Sequence, residues 1–182
     1  MSMKIIMESF RTFLKEEQVA SPVGDLPQHI FHGVQSSDLD NLRDNGVVNL
    51  PSELDFEEDK VGVPCADDFQ SAQKYGDVIL EFDGEQLMGT GQYTLNPVEK
   101  GGFRLGMTDS AANSGHGVHD MVDKLGTNIP FQYVKKMIFT GDTFPNIRKL
   151  KEAGFGGVEI ATTDPAAPDS GEFKTMWKPP ED

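Results

Sequence analysis

The side chains most able to move protons, hold metals or attack a substrate near neutral pH are four histidines and one cysteine: His29, His32, His116, His119 and Cys65. His116 and His119 lie in SGHGVHD beside Asp120. Two imidazoles and a carboxylate suit zinc. The spacing matches no firm metal signature, however, and the segment is glycine-rich rather than helical, so polar loop histidines are the plainer reading and no metal is expected. Cys65 has the chemistry of a nucleophile, but a lone cysteine is more often a small buried hydrophobe. His32 differs in being followed by Gly33 at the end of the strand-like run HIFHGV. An imidazole at a strand end, next to a residue without Cβ, can border a cleft that a ligand or another backbone approaches closely. A structural strand-end histidine is the bland alternative. The chain contains no Gly-x-Ser-x-Gly elbow, no phosphate-binding Gly-x-x-x-x-Gly-Lys loop and no dinucleotide Gly-x-Gly-x-x-Gly after a strand.

The elements that must position these residues follow from pattern and punctuation. After HIFHGV, the run SSDLDNLRDNG reads as a helix. Ser36 or Ser37 is its N-cap, Asp38 and Asp40 lie in its first turn, Leu39 and Leu42 share a face, and Gly46 follows its end. Residues 49–60 read as an exposed acidic loop. DDFQSAQKYG is a second short helix with Phe69, Ala72 and Tyr75 on one side, and DVILEFDG is the clearest strand. Residues 88–118, rich in Gly, Ser, Asn and Thr, read as long loops of a functional kind. IPFQYVKKMIFTGD is a turn leading into a strand at Val134–Thr140. NIRKLKEAGF is a helix ending at Gly154, GGVEIA is a strand, and the proline-rich tail lies over the surface with Phe173 and Trp177 as anchors.

Composition bounds the answer. A chain of 182 residues suits one domain with a short appendage, and a 37% hydrophobic fraction supports a single core. A net charge of −14 argues against nucleic acid, whose phosphates need a basic footprint, and against an anionic membrane surface. The single cysteine excludes an internal disulfide framework. No apolar run approaches the roughly 20 residues of a membrane span, and the N-terminus lacks the pattern of a secretory signal. The division expected is an amphipathic helix over 1–17, a linker over 18–28 broken by Pro22, Gly24 and Pro27, and a body over 29–182.

The body resembles the ADP-ribosyltransferase fold over about residues 29–140. Phe31-His32-Gly33, Gly62, Ala66-Asp67, Ala72, Tyr75 and the strand Val78–Phe82 fall in that family's order at compatible spacings, and IPFQYVKKMIF is similar to its late strand pair. The resemblance implies an α+β domain with a small split β-sheet and short flanking helices. It implies NAD as the substrate, with His32 bonding the adenosine-side ribose, Gly33 pairing through its backbone with the nicotinamide amide, and Tyr75 stacking on the nicotinamide ring. It also implies a carboxylate that stabilises an oxocarbenium-like state and orients the acceptor. The sequence departs from the family pattern in two places. Pro64 stands where the family has a tyrosine, and no glutamate precedes IPFQYVKKMIF at the expected distance. The aligned carboxylate is Asp120, with Asp123 nearby, and Glu172 in GEFKTMW is a second candidate.

The peptide MKIIMESFRTFLKEE resembles the capsid-targeting peptides of T-even-like phages, which are cleaved after Leu/Ile-x-Glu; Leu14-Lys15-Glu16 fits that pattern. Met3, Met7, Phe10 and Leu14 equally describe an ordinary amphipathic helix. Together the two resemblances imply a phage-borne mono-ADP-ribosyltransferase that resides in the virion interior and then acts in the host cytoplasm on a host protein acceptor. A catalytically inactive member of the same fold, serving as a structural or interaction protein among phage capsid proteins, is the second expectation. A binding domain with no NAD link is the third.

Overall fold

The computed structural model describes residues 27–49, 62–98, 102–107, 127–141, 143–167 and 171–180. The chain begins with β1 (Ile30–Val34), a 3-10 turn at Ser36–Asp38 running into α1 (Leu39–Asn45), β2 (Val47–Asn49), β3 (Val63–Cys65), α2 (Phe69–Gln73) and β4 (Val78–Phe82). It continues with α3 (Gly84–Gly89), β5 (Tyr93–Pro97), β6 (Phe103–Met107), β7 (Thr127–Ile129), β8 (Val134–Phe139), α4 (Ile147–Leu150), β9 (Glu159–Thr163) and β10 (Phe173–Trp177). The architecture is mixed α+β with the strands divided among separate sheets. Strands run β1-β4-β8-β9-β10 in the largest sheet, β3-β6-β5 in a second and β2-β7 in a third. Among the described residues, β8 and β9 form the one parallel pair of strands. No helix among the described residues is long and apolar enough to cross a membrane. The N-terminal peptide with Leu14-Lys15-Glu16, the loop over 50–60 and the segment carrying His116, His119, Asp120 and Asp123 lie outside the described residues.

Alternation assigns the two faces of the large sheet. Ile30, Leu80, Met137 and Ile160 point into the main core, while Phe31, Ile79, Ile138 and Ala161 build a smaller core under Phe69 and Ala72 of α2. Strand β4 is therefore buried along its whole length, Glu81 included at 3% exposure. Glu81 is tolerated because the His29 ring and two lysine ammoniums converge on it. His29 Nδ1 lies at 2.7 Å, Lys135 Nζ at 3.1 Å and Lys136 Nζ at 3.8 Å. A register shift makes this possible: Lys136 pairs with Glu81 and Val134 with Phe82, so Lys135 is an extra residue and both lysines reach one carboxylate.

Three local expectations are corrected. Ser36 and Ser37 do not cap the first helix. The Ser36 amide and hydroxyl each donate to Asp77 at 2.7 Å, which ties this turn to the start of β4 instead. Within the stretch read as long loops, β5 and β6 form an antiparallel hairpin stabilised by pairs such as Leu95 with the fully buried Leu105. The tail is not only a surface strap, because β10 adds to the sheet edge beside β9. Its anchors are as expected: the Phe173 ring meets Phe69 at 4.9 Å, and Trp177 Nε1–H donates to the Gly156 carbonyl at 3.1 Å.

Candidate functional site

Strand β1 belongs to the large sheet through β4 and touches the second sheet at one point. On the β4 side its five residues pair in continuous register from Ile30–Phe82 to Val34–Val78. On the β3 side the contact is a single bridge: Phe31 and Ala66 exchange N–H···O bonds of 2.9 Å in both directions. The bonding direction of the backbone alternates along a strand, so the amide and carbonyl of Gly33, like those of Phe31, face β3. Beyond the bridge the two sheets part, and a cavity of about 550 Å³ opens between them. His32, Gly33, Pro64, Asp67, Tyr75 and Arg104 are among its lining residues.

Among the described residues His32 is held by one hydrogen bond, its Nδ1 lying 2.7 Å from the carbonyl oxygen of Pro64. A carbonyl only accepts, so Nδ1 carries the proton and Nε2 of the neutral ring is an acceptor. Burial lowers the His32 pKa below its ordinary value, and the Pro64 bond only partly opposes this, so the ring is neutral at pH 7. Gly33 is required by a close approach. A Cβ built there would lie 2.3 Å from the Ala72 carbonyl oxygen, so α2 sits against β1 only because that carbon is missing. Tyr75 follows α2, with its own Cβ 3.0 Å from the same point, and is 70% exposed. It thus leaves the buried face that Phe69 and Ala72 share and is among the residues that line the cavity.

Among the described residues, the charges lining the cavity are Asp67, Asp68, Lys74 and Arg104. Asp68 is committed to the fold: its carboxylate accepts the Ser71 amide at 2.8 Å at the start of α2, and hydrogen bonds from Ser71 hold its pKa below the usual carboxylate range. Arg104 Nη1–H donates to the Gly62 carbonyl at 3.0 Å, bracing the end of β3. Cys65 also borders the cavity, but burial pushes its thiol up to about 12, so it stays protonated at neutral pH and is no nucleophile.

The structure brings His32, Gly33 and Tyr75, distant in sequence, around one cavity. It does not bring Glu172 there. Glu172 borders a separate hollow of about 440 Å³ with Phe144, Thr163 and Lys174, because β10 occupies the far edge of the large sheet from β1. Asp120 and Asp123 lie outside the described residues. Among the described residues, no three His, Cys, Asp or Glu side chains gather as a metal site. Sequence reasoning missed Asp67 as a cleft carboxylate, although the resemblance passed through Ala66-Asp67, because nothing in the local pattern shows that this strand end faces β1.

Compared with known family models, curated proteins and solved structures, the chain matches none. Function is therefore read from the site.

Proposed function

We propose that the cleft between β1 and β3 binds NAD and that the protein is a mono-ADP-ribosyltransferase acting on a protein acceptor. The observation that carries this reading is the convergence of His32, Gly33 and Tyr75 on one cavity. Its volume of about 550 Å³ falls within the span of small-molecule sites. The neutral His32 ring has an acceptor nitrogen suited to a ribose hydroxyl. The Gly33 backbone, facing β3 beyond the bridge, suits the carboxamide of nicotinamide. The exposed Tyr75 suits the flat face of that ring. In the transfer the bond between ribose C1′ and the nicotinamide nitrogen breaks and its electron pair leaves with nicotinamide. The acceptor nucleophile then bonds C1′ and gives up its proton. Asp67 is among the residues lining the cavity, and in this reading a carboxylate there steadies developing positive charge and takes that proton; Asp120 and Asp123 remain candidates from the sequence.

The test is incorporation of labelled ADP-ribose from NAD into proteins of a bacterial extract, beside His32→Ala. The expected result is labelling that falls at least tenfold in the variant. Labelling no higher than the variant's would remove the enzymatic reading. The second reading, an inactive member of the fold acting as an interaction protein, is favoured by Glu172 lying in a separate hollow. NAD binding measured by calorimetry without any transfer would select it. The phage reading and the virion location rest on the N-terminal peptide alone. Mass spectrometry of virions would support them by finding this chain cut after Glu16, and would count against them by finding none of its peptides.

A further inference from the structure

Pro64 stands in the middle of β3, where a proline ordinarily breaks a ladder. Here it breaks nothing inside its own sheet. Ala66 turns its amide and carbonyl toward Phe31 of β1, so by alternation Pro64 faces β1 as well, while Val63 and Cys65 serve β6. The missing N–H is therefore missing only on the side of the cleft. Extending the Phe31–Ala66 bridge by one further bonded pair would set Gly33 opposite residue 64. That pair needs an N–H at 64 for the Gly33 carbonyl and a carbonyl at 64 for the Gly33 amide. The first does not exist, and the second already accepts the His32 Nδ1–H at 2.7 Å.

We infer that Pro64 is a positioning residue: it stops β1 and β3 from closing beyond one bridge, and so leaves the Gly33 backbone and the outward nitrogen of His32 to a ligand. The ligand class that fits both groups carries an amide and a donating hydroxyl. The inference deepens, and for its ligand rests on, the NAD reading of this cleft. The residue that departs from the family pattern thereby acquires a reason in the geometry. Its ring is exposed and fills no core position, so its contribution lies in its backbone. Any other residue at this position would supply an N–H toward the Gly33 carbonyl.

The experiment uses the full chain with Pro64→Ala and Pro64→Val, the second retaining bulk near that of the ring. Amide hydrogen exchange of residue 64 is measured by NMR, and titrations with NAD and with nicotinamide are measured by calorimetry. Thermal midpoint is a poor readout, because the gained bond and the freer unfolded chain oppose one another. The expected result is a residue-64 amide in both variants that exchanges slowly, as ladder amides do, together with affinity about tenfold weaker than wild type. A residue-64 amide that exchanges like an unstructured one in both variants overturns the inference. So does a protected amide with wild-type affinity. If the wild-type chain binds neither NAD nor nicotinamide, the transferase reading alone falls. Protection at residue 64 then still supports the part of Pro64 in holding the gap, and free exchange there still overturns it.

Discussion

The two edges of β1 are built to opposite ends. Toward β4, contacts accumulate: five residues pair in register, Asp77 accepts two bonds from Ser36, Gly76 abuts the Val34 backbone, and Glu81 gathers His29 and two lysines. Toward β3, pairing ends after Phe31 and Ala66, and polar groups of the strand face a cavity. The two histidines of this region divide in the same way. His29 bonds a buried carboxylate and stacks on Phe31 at 5.5 Å, whereas His32 takes one backbone carbonyl and its other nitrogen has no hydrogen-bond partner among the described residues. A strand fully paired on one edge can leave its other edge incomplete without losing its place. The difference is that between a scaffold and a site. Damage on the β4 side should register in stability, and damage on the β3 side in ligand affinity.

The largest effect expected is from Gly76→Ala. The new Cβ would lie 1.9 Å from the Val34 carbonyl oxygen and 2.3 Å from its carbon, both backbone atoms that cannot swing away. Overpacking of this kind should cost about 3 kcal/mol in urea unfolding. A loss under about 1 kcal/mol would mean that the β4 side yields more readily than its contacts imply. Glu81→Gln comes next. It keeps the shape but removes the charge that Lys135, Lys136 and His29 surround, and should cost about 2 kcal/mol by the same measurement. A neutral result would show that the partly exposed lysines simply turn to solvent, and the comparison would then rest on the backbone ladder alone.

The smallest effect is a pH dependence that separates the two edges. The folded pKa of His32 is lowered by burial, so its ring resists protonation in the fold. Between that lowered value and the ordinary value of about 6.5, the unfolded chain binds the extra proton and the folded chain does not, so stability falls as pH drops through this window. The neutral ring is also the form that accepts a hydroxyl. Ligand affinity should therefore be flat above about pH 6.5 and decline in acid. For Asp77, burial pushes the pKa up, but hydrogen bonds from Ser36 and Thr143 outweigh it and leave the value lowered. Its stabilisation is present above the ordinary carboxylate value and is lost as pH falls through the lowered one. Titrating affinity in wild type and in Asp77→Asn should thus show the same decline in acid, and a decline that moved with the loss of the Asp77 carboxylate would sink the division between the edges.

Short-range pattern made much of the scaffold readable from the residues. The apolar run Val78–Phe82, the glycine after Asn45, the glycine within KEAGF and the strand at VKKMIF are local signals, because sterics and burial act on neighbouring residues. The β5–β6 hairpin and β10 were not readable, since their few residues are largely part-exposed and show no clean alternation of buried and exposed positions, and only their place beside β3 and β9 makes them strands. Of the candidate site, His32, Gly33 and Tyr75 could be nominated from an ordered set of short motifs. The sequence by itself also determined that residue 64 has no amide hydrogen and residue 33 no Cβ. Only the tertiary structure decided that these two absences face one another across a gap, that Glu172 lies in a different hollow, and that Asp67 lines the cavity. The physical reason is that a missing donor has no consequence until a particular acceptor stands opposite it, and pairing between distant strands is what places it there.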